Sequence, residues 1–151
     1  MTEETPTWPE REPSYRLRPP AADEAAGIDA FAAVLDASER RPETVAVRLT
    51  VGRRTDVVGP RREALEGLSG HADVTVSDER TTGTAPLSGA TFDDIATLFS
   101  DLDRAVVRDT EGVAILEWRG ETLRFALPDE RADELAQELA PVLADRLERV
   151  E

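Results

Sequence analysis

The chain has 151 residues, no cysteine and a single histidine. Without cysteine, disulfide scaffolds, catalytic thiolates and cysteine-based metal sites are excluded. A histidine metal centre lacks partners, and nucleophilic catalysis usually requires a base of this kind beside the nucleophile. His71 follows a Ser-Gly pair in a predicted loop, where a solvated imidazole is ordinary. We therefore predict no catalytic residue and no enzyme activity.

Metal and cofactor motifs are lacking as well. Carboxylates alone could hold Ca²⁺ or Mg²⁺, and the densest acidic pairs are Asp93 with Asp94 and Asp101 with Asp103. Neither pair has the spacing of a calcium loop. No glycine-rich phosphate loop or dinucleotide fingerprint occurs. We predict no metal and no cofactor.

Long hydrophobic runs are absent. No apolar stretch approaches the roughly 18 residues that a membrane-spanning helix requires. Residues 1–10 carry acids and prolines where a signal peptide would have a basic region and an apolar run. We therefore expect a cytoplasmic protein with no membrane partner.

The chain also contains no lysine, so all 18 of its basic residues are arginine. They are outnumbered by 32 acidic residues, which gives a formal net charge of −14. This composition favours a halophilic source, and a GC-rich actinobacterium is the alternative. Because such a charge repels phosphate backbones, binding to nucleic acid is not favoured.

The residues that are present suffice for one compact domain, since 40% are hydrophobic and the length lies in the single-domain range. Five prolines among charges predict an extended or disordered arm at 1–20, which we expect to be dispensable for folding. Trp8, Tyr15 and Leu17 could dock this arm on the domain or on a partner. A single α+β domain is expected at 21–151.

Hydrophobic periodicity predicts the elements of this domain. Helical spacing occurs at 23–37, 60–68, 91–102 and 129–150, with Pro141 expected to kink or split the last helix. Strands are predicted at 44–51, 55–58, 72–76, 105–108, 113–118 and 121–127. The segment 77–90 is rich in Thr, Gly and Ser and is predicted to be a surface loop. The expected fold is an antiparallel sheet, formed by a hairpin and a three-stranded meander and covered by amphipathic helices.

Two parts of the chain are similar to each other. Residues 45–60 align with 113–128 without a gap, so that Gly52 matches Gly120 and Pro60 matches Pro128. The preceding helices match after one insertion. A duplicated helix-hairpin-helix unit at 23–68 and 91–139 would explain the similarity. Convergence is the alternative, because glycine in turns and proline at helix starts recur for local reasons.

One segment is basic within this acidic chain. Arg53, Arg54, Arg61 and Arg62 lie within ten residues that contain one acid, Asp56. Guanidinium groups could bind a phosphate or an acidic partner through bidentate contacts. The alternative is that these arginines pair with acids of their own chain.

These observations favour a non-enzymatic interaction or regulatory module, with a protein partner or self-association. The alternative is a binder of an anionic ligand or nucleic acid through the loop of residues 53–62. An enzyme that uses carboxylates only is a third hypothesis.

Overall fold

The computed structural model describes residues 6–9, 12–20, 23–51, 56–77 and 80–150. Within these residues five helices pack on one face of an eight-stranded sheet. The helices are α1 (Glu24–Ala37), α2 (Pro60–Ser69), α3 (Gly89–Thr97), α4 (Asp129–Glu138) and α5 (Pro141–Ala144). The strands are β1 (Ser14–Leu17), β2 (Pro42–Thr50), β3 (Val74–Ser77), β4 (Arg80–Pro86), β5 (Leu102–Asp109), β6 (Ala114–Trp118), β7 (Leu123–Ala126) and β8 (Leu147–Val150).

The sheet has the strand order β3-β4-β2-β5-β6-β7-β1-β8, and every neighbouring pair is antiparallel. The predicted α+β class with an antiparallel sheet is therefore confirmed. β2 and β5 lie in the middle, and β3 and β8 are the edges. Among the described helices, none has the length and apolar character needed to cross a bilayer.

The alternation of β2 explains how the sheet meets its helices. Val45, Val47 and Leu49 are buried, whereas the residues between them are partly exposed. In a strand, successive side chains point to opposite faces. The buried set therefore faces the core, which also contains Phe31 of α1 and Leu135 of α4. The other set lies on the face that carries no helix.

The N-terminal segment differs from the predicted arm. Ser14–Leu17 forms β1, which pairs with β7 on one side and with β8 on the other. Tyr15 and Leu17 are only 7% and 0% exposed and belong to the core. Pro13 and Pro19 flank this strand without interrupting its ladder. The prolines therefore lie at the ends of a strand, and Tyr15 and Leu17 of that strand are part of the core.

The predicted surface loop at 77–90 also differs from the structure. Its residues 80–86 form β4, which lies between β3 and β2. The core side of this strand carries Thr81 and Ala85, both buried, instead of large apolar side chains. Threonine is β-branched and suits a pleated sheet, but neither threonine nor alanine gives a strong hydrophobic signal in the sequence.

The predicted hairpin after β2 is not found in the described residues. β2 pairs with β4 and β5, and residues 56–58 form no strand. The proposed repeat aligns β2 with β6, but β6 pairs with β5 and β7. The two aligned strands share β5 but differ in their other neighbour, β4 for β2 and β7 for β6, and the helix-hairpin-helix duplication is not confirmed.

The C-terminal helix predicted at 129–150 is divided into three elements. Pro141 begins α5, and so splits the helix as expected, since proline is tolerated in a first turn. Leu147–Val150 is not helical but forms the edge strand β8 beside β1. The spacing of three residues between Leu147 and Val150 fits one face of a helix, but in β8 it places the two side chains on opposite faces of the sheet.

The single tyrosine provides a test of the contact between β1 and α4. The Tyr15 hydroxyl donates a hydrogen bond to the Asp129 carboxylate. Burial and this hydrogen bond raise the pKa of Tyr15 from 10.0 to about 12. A raised folded-state pKa means that its contribution to stability is complete below pH 10 and is lost as the pH rises towards 12.

We therefore predict that the absorbance of tyrosinate appears with a midpoint near pH 12 in the folded protein. The Asp129→Asn variant is expected to titrate at a lower pH, because the anionic neighbour is removed. An unperturbed midpoint near 10 in the native, folded protein would contradict the buried position of Tyr15.

Candidate functional site

The sequence-predicted arginine cluster is only partly described. Arg53 and Arg54 lie outside the described residues. Arg61 forms an ion pair with Asp101, and Arg62 Nε lies 3.2 Å from Glu66 Oε1 one turn further along α2. Both described arginines therefore contact acids of their own chain, the alternative that the sequence left open.

A larger basic surface lies on the helix-free face of the sheet. Strand alternation and register place six arginines there, which we call the arginine face: Arg16, Arg48, Arg80, Arg104, Arg108 and Arg124. Two acids, Glu117 and Glu148, occupy strand positions of this face within the described residues. Asp103 reaches its rim, where it accepts a hydrogen bond of 2.5 Å from the Thr50 hydroxyl. The face is thus basic although the chain is acidic.

The pairing register brings several of these arginines side by side. Arg48 lies opposite Arg104, and Arg124 lies opposite Arg16. Like charges directly across two strands are destabilising. Such pairs are retained at a cost in folding energy unless neighbouring acids or a ligand offset it.

Glu117 offsets part of this repulsion. Its carboxylate is 6% exposed and lies 2.8 Å from Arg104 Nη2 and 3.1 Å from Arg119 Nε. A buried carboxylate needs such partners, because an unpaired charge is costly to desolvate. Glu117 therefore positions two guanidinium groups, that of Arg104 on the arginine face and that of Arg119 in the turn after β6.

Three arginines of this face form no ion pair with a carboxylate among the described residues, namely Arg80, Arg108 and Arg124. The Arg124 guanidinium instead lies 4.9 Å from the ring centroid of Trp8, a cation–π contact. Residues 6–9 are held there by a hydrogen bond of 2.8 Å that the Ala114 amide donates to the Thr7 carbonyl. Trp8 therefore docks on its own domain, one of the two expectations for the N-terminal segment.

A cavity of about 280 Å³ lies between Trp8 and the arginine face. Three guanidinium groups, an indole, a hydroxyl and a carboxylate line it, from Arg16, Arg119, Arg124, Trp8, Thr122 and Glu117. This cavity, here called the arginine cavity, concentrates positive charge in a concave, partly apolar site. It can accept an anion.

A second cavity, of about 520 Å³, lies on the helix side of the sheet. Phe99 and Trp118 form its apolar wall, with ring centroids 4.8 Å apart. Two arginines and three acids surround them, so that both signs of charge are present with one excess negative charge: Arg18, Arg146, Asp23, Glu24 and Glu121. The Trp118 indole N–H is buried and has no acceptor among the described residues. This mixture indicates no particular ligand charge.

The perturbed carboxylates have structural partners. Burial and the nearby Asp93 carboxylate raise the pKa of Asp94, and His71 opposes this shift. Asp94 packs where α2 crosses α3, against Gly67, and lines neither of the two cavities. Burial alone would raise the pKa of Asp109. Hydrogen bonds from the Val113 and Glu111 amides and from Arg40 outweigh it, and the pKa is lowered.

Across the described part of the chain, no group of three or more metal-binding side chains comes together. The acidic pairs noted in the sequence have other roles, since Asp101 contacts Arg61 and Asp103 contacts Thr50. The geometry of the arginine face and its cavity is therefore the strongest functional feature of this structure.

Comparison of the chain with protein-family models, with curated proteins and with solved structures finds no match. Sequence reasoning also missed the arginine face, because Arg16, Arg108 and Arg124 are far apart along the chain. One signal was present. Arg124 stands between Leu123 and Phe125, the position of an outward-facing residue in an alternating strand.

Proposed function

We propose that this protein is a non-enzymatic cytoplasmic interaction module that binds an acidic surface of a protein partner through its arginine face. One observation carries the proposal. At the described strand positions of a single sheet face the charged residues are six arginines and two glutamates, with Asp103 at the rim, in a chain of net charge −14. The lysine-free, acid-rich composition supports the cytoplasm of a halophile as its location.

Electrostatic complementarity favours an acidic protein as the partner. Guanidinium groups bind carboxylates in bidentate geometry and lose little hydration in doing so. In the salt-rich cytoplasm of a halophile, at an ionic strength of about 1 M, charges are screened beyond about 3 Å. A ligand seated on the arginine face therefore interacts mainly with this face, because the acids of the helical layer lie across the thickness of the domain.

Nucleic acid fits this face less well. Duplex recognition inserts a helix or a two-stranded ribbon into a groove, whereas this surface is a broad sheet. Single strands bind sheets that present aromatic residues for base stacking. The described strand positions of the arginine face carry no aromatic residue, and the Trp8 indole that lies on this face is stacked against the Arg124 guanidinium. A long polyanion would also meet the excess negative charge of the remaining chain.

A second copy of this chain is less favoured as the partner. The exposed acids of α4, including Asp129, Glu130 and Asp133, offer a complementary surface. Contact between the helix side of one copy and the sheet side of another is heterologous, and such contacts continue into filaments unless they close. A different acidic protein forms a finite complex.

The test compares two double variants that change the net charge equally. Arg108→Glu with Arg124→Glu reverses charges on the arginine face, and Arg61→Glu with Arg62→Glu reverses the sequence-predicted cluster. We expect the first to weaken binding of a short oligoglutamate peptide at least about tenfold and the second to have little effect, since reversal adds repulsion to the lost contacts. Fluorescence anisotropy at fixed salt measures both.

A duplex DNA of similar charge serves as the second ligand. Tighter binding of the DNA than of the peptide would contradict an acidic protein as the partner. A larger loss of affinity in the Arg61 and Arg62 variant than in the Arg108 and Arg124 variant would favour binding through residues 53–62 and contradict the arginine face as the site.

A further inference from the structure

The arginine cavity collects cations from three different segments of the chain. Arg16 comes from β1, Arg124 from β7, and Arg119 from the turn between β6 and β7. All three side chains line a space of about 280 Å³. Its lining has three cations and one carboxylate, Glu117, so positive charge is in excess there, and an anion in the cavity would reduce that excess.

We propose that the arginine cavity binds a phosphomonoester group carried by the acidic protein partner. This proposal rests on the proposed function of the arginine face, and it names the group that anchors the partner there. The ligand is thus a phosphorylated side chain within an acidic segment.

Each guanidinium of the cavity is oriented by a contact that is already present. Arg16 Nη2 lies 2.7 Å from Glu148 Oε2, and Arg119 Nε lies 3.1 Å from Glu117 Oε2. Arg124 is held against the Trp8 ring. A side chain that is ordered before binding loses less conformational entropy when its ligand arrives. The three groups therefore form a preorganised site.

The geometry favours a phosphoryl group over a carboxylate. A carboxylate has two oxygens in one plane, and one arginine fork satisfies both of them. A phosphoryl group has three terminal oxygens that point in different directions and carries a charge of about −1.5 to −2 at neutral pH. Arginines that approach from three segments of the chain match three such oxygens. The higher charge also overcomes the nearby Glu117 and Glu148.

Thr122 and Trp8 complete the site. The Thr122 Oγ1 accepts a hydrogen bond of 3.3 Å from Arg18 Nε, so the hydroxyl hydrogen is available to an anion in the cavity. The Trp8 ring covers one side of the cavity and limits contact with water, which strengthens ionic contacts. Because Trp8 lines the cavity, its fluorescence should respond to a bound ligand.

The test measures three ligands by calorimetry and by tryptophan fluorescence at fixed ionic strength. They are an oligoglutamate peptide with one phosphoserine, the same peptide without phosphate, and inorganic phosphate. We expect the phosphopeptide to bind at least about tenfold more tightly than the unmodified peptide, since hydrogen bonds to charged groups are the stronger ones. A Trp8→Phe variant should lose the fluorescence change and keep the calorimetric signal, because Trp118 lies elsewhere.

Single variants locate the phosphate. Arg119→Gln and Arg124→Gln should each remove most of the tenfold advantage, whereas Arg62→Gln, an equal loss of charge on α2, should leave it unchanged. Thermal melts establish that each variant is folded. A phosphate advantage that survives in both cavity variants, or that is lost equally in the Arg62 variant, would overturn the proposal.

The three ligands separate this proposal from the one on which it rests. Equal affinity of both peptides, with binding still dependent on Arg108, overturns the phosphate site alone. If neither peptide binds, the arginine face has no acidic protein ligand and both proposals fail. Inorganic phosphate that binds as tightly as the phosphopeptide would show that the cavity takes a free anion, and would overturn the partner as its source.

Discussion

A protein that lacks residues 1–20 is expected not to fold. This deletion removes β1, which lies between β7 and β8 in the sheet, so β8 loses the strand with which it pairs. It also removes Tyr15 and Leu17 from the core, and full burial of such a side chain contributes about 1.5 to 3 kcal/mol. With the lost strand pairing, the sum approaches the total stability of about 5 to 15 kcal/mol typical of a domain.

The measurement is circular dichroism of the truncated chain with a urea titration. Two point variants of the same strand serve as matched controls. Leu17→Ala should cost about 2 to 5 kcal/mol because it empties a fully buried site, and Arg16→Ala should cost less than about 1 kcal/mol because its ion pair is exposed. A truncated protein that melts within a few degrees of the intact chain would show that β1 is not part of the core.

The second large effect is expected for Gly83→Ala in β4. Gly83 has φ +149°, a backbone conformation that side chains rarely permit. A Cβ at this position would also clash with the Asp73 carbonyl oxygen and would lie 2.5 Å from Val74 Cα. Both are backbone atoms at the start of β3, so relief requires β3 to move away from β4. We expect a loss of about 3 kcal/mol or more.

Gly89→Ala is the matched control, because a Cβ at the first residue of α3 meets no atom within 4 Å. It should be neutral or stabilising by up to about 1 kcal/mol. Urea unfolding compares the two variants, and hydrogen exchange shows whether β3 opens first. Equal stabilities for the two variants would contradict the close approach of β3 to β4.

The elements that the sequence predicted are those with a strong hydrophobic period. α1 and β2 bury side chains at every third or fourth and at every second residue, so their spacing in the sequence reflects their packing. β1 lacks this signal because it is four residues long and flanked by prolines. β4 lacks it because Thr81 and Ala85 fill its core positions. When a strand buries only a few residues, or only small ones, their burial is determined by the strands that pair with it. The local sequence does not specify those strands.

The same limit applies to the candidate site. The sequence drew attention to Arg61 and Arg62 because they are adjacent along the chain, but each contacts an acid of its own chain. Arg16 and Arg124 are more than a hundred residues apart and lie opposite each other only because β1 pairs with β7. A basic surface built by strand register cannot be predicted before the order of the strands is known.

The most direct test of the arginine face is nuclear magnetic resonance mapping of the oligoglutamate peptide on the isotope-labelled protein. We predict shifts that follow the strand alternation, with large changes at Arg16, Arg108 and Arg124 and small changes at the buried residues between them. Shifts that concentrate on Arg61, Arg62 and the rest of α2, with the sheet unaffected, would contradict the account and would favour binding through residues 53–62.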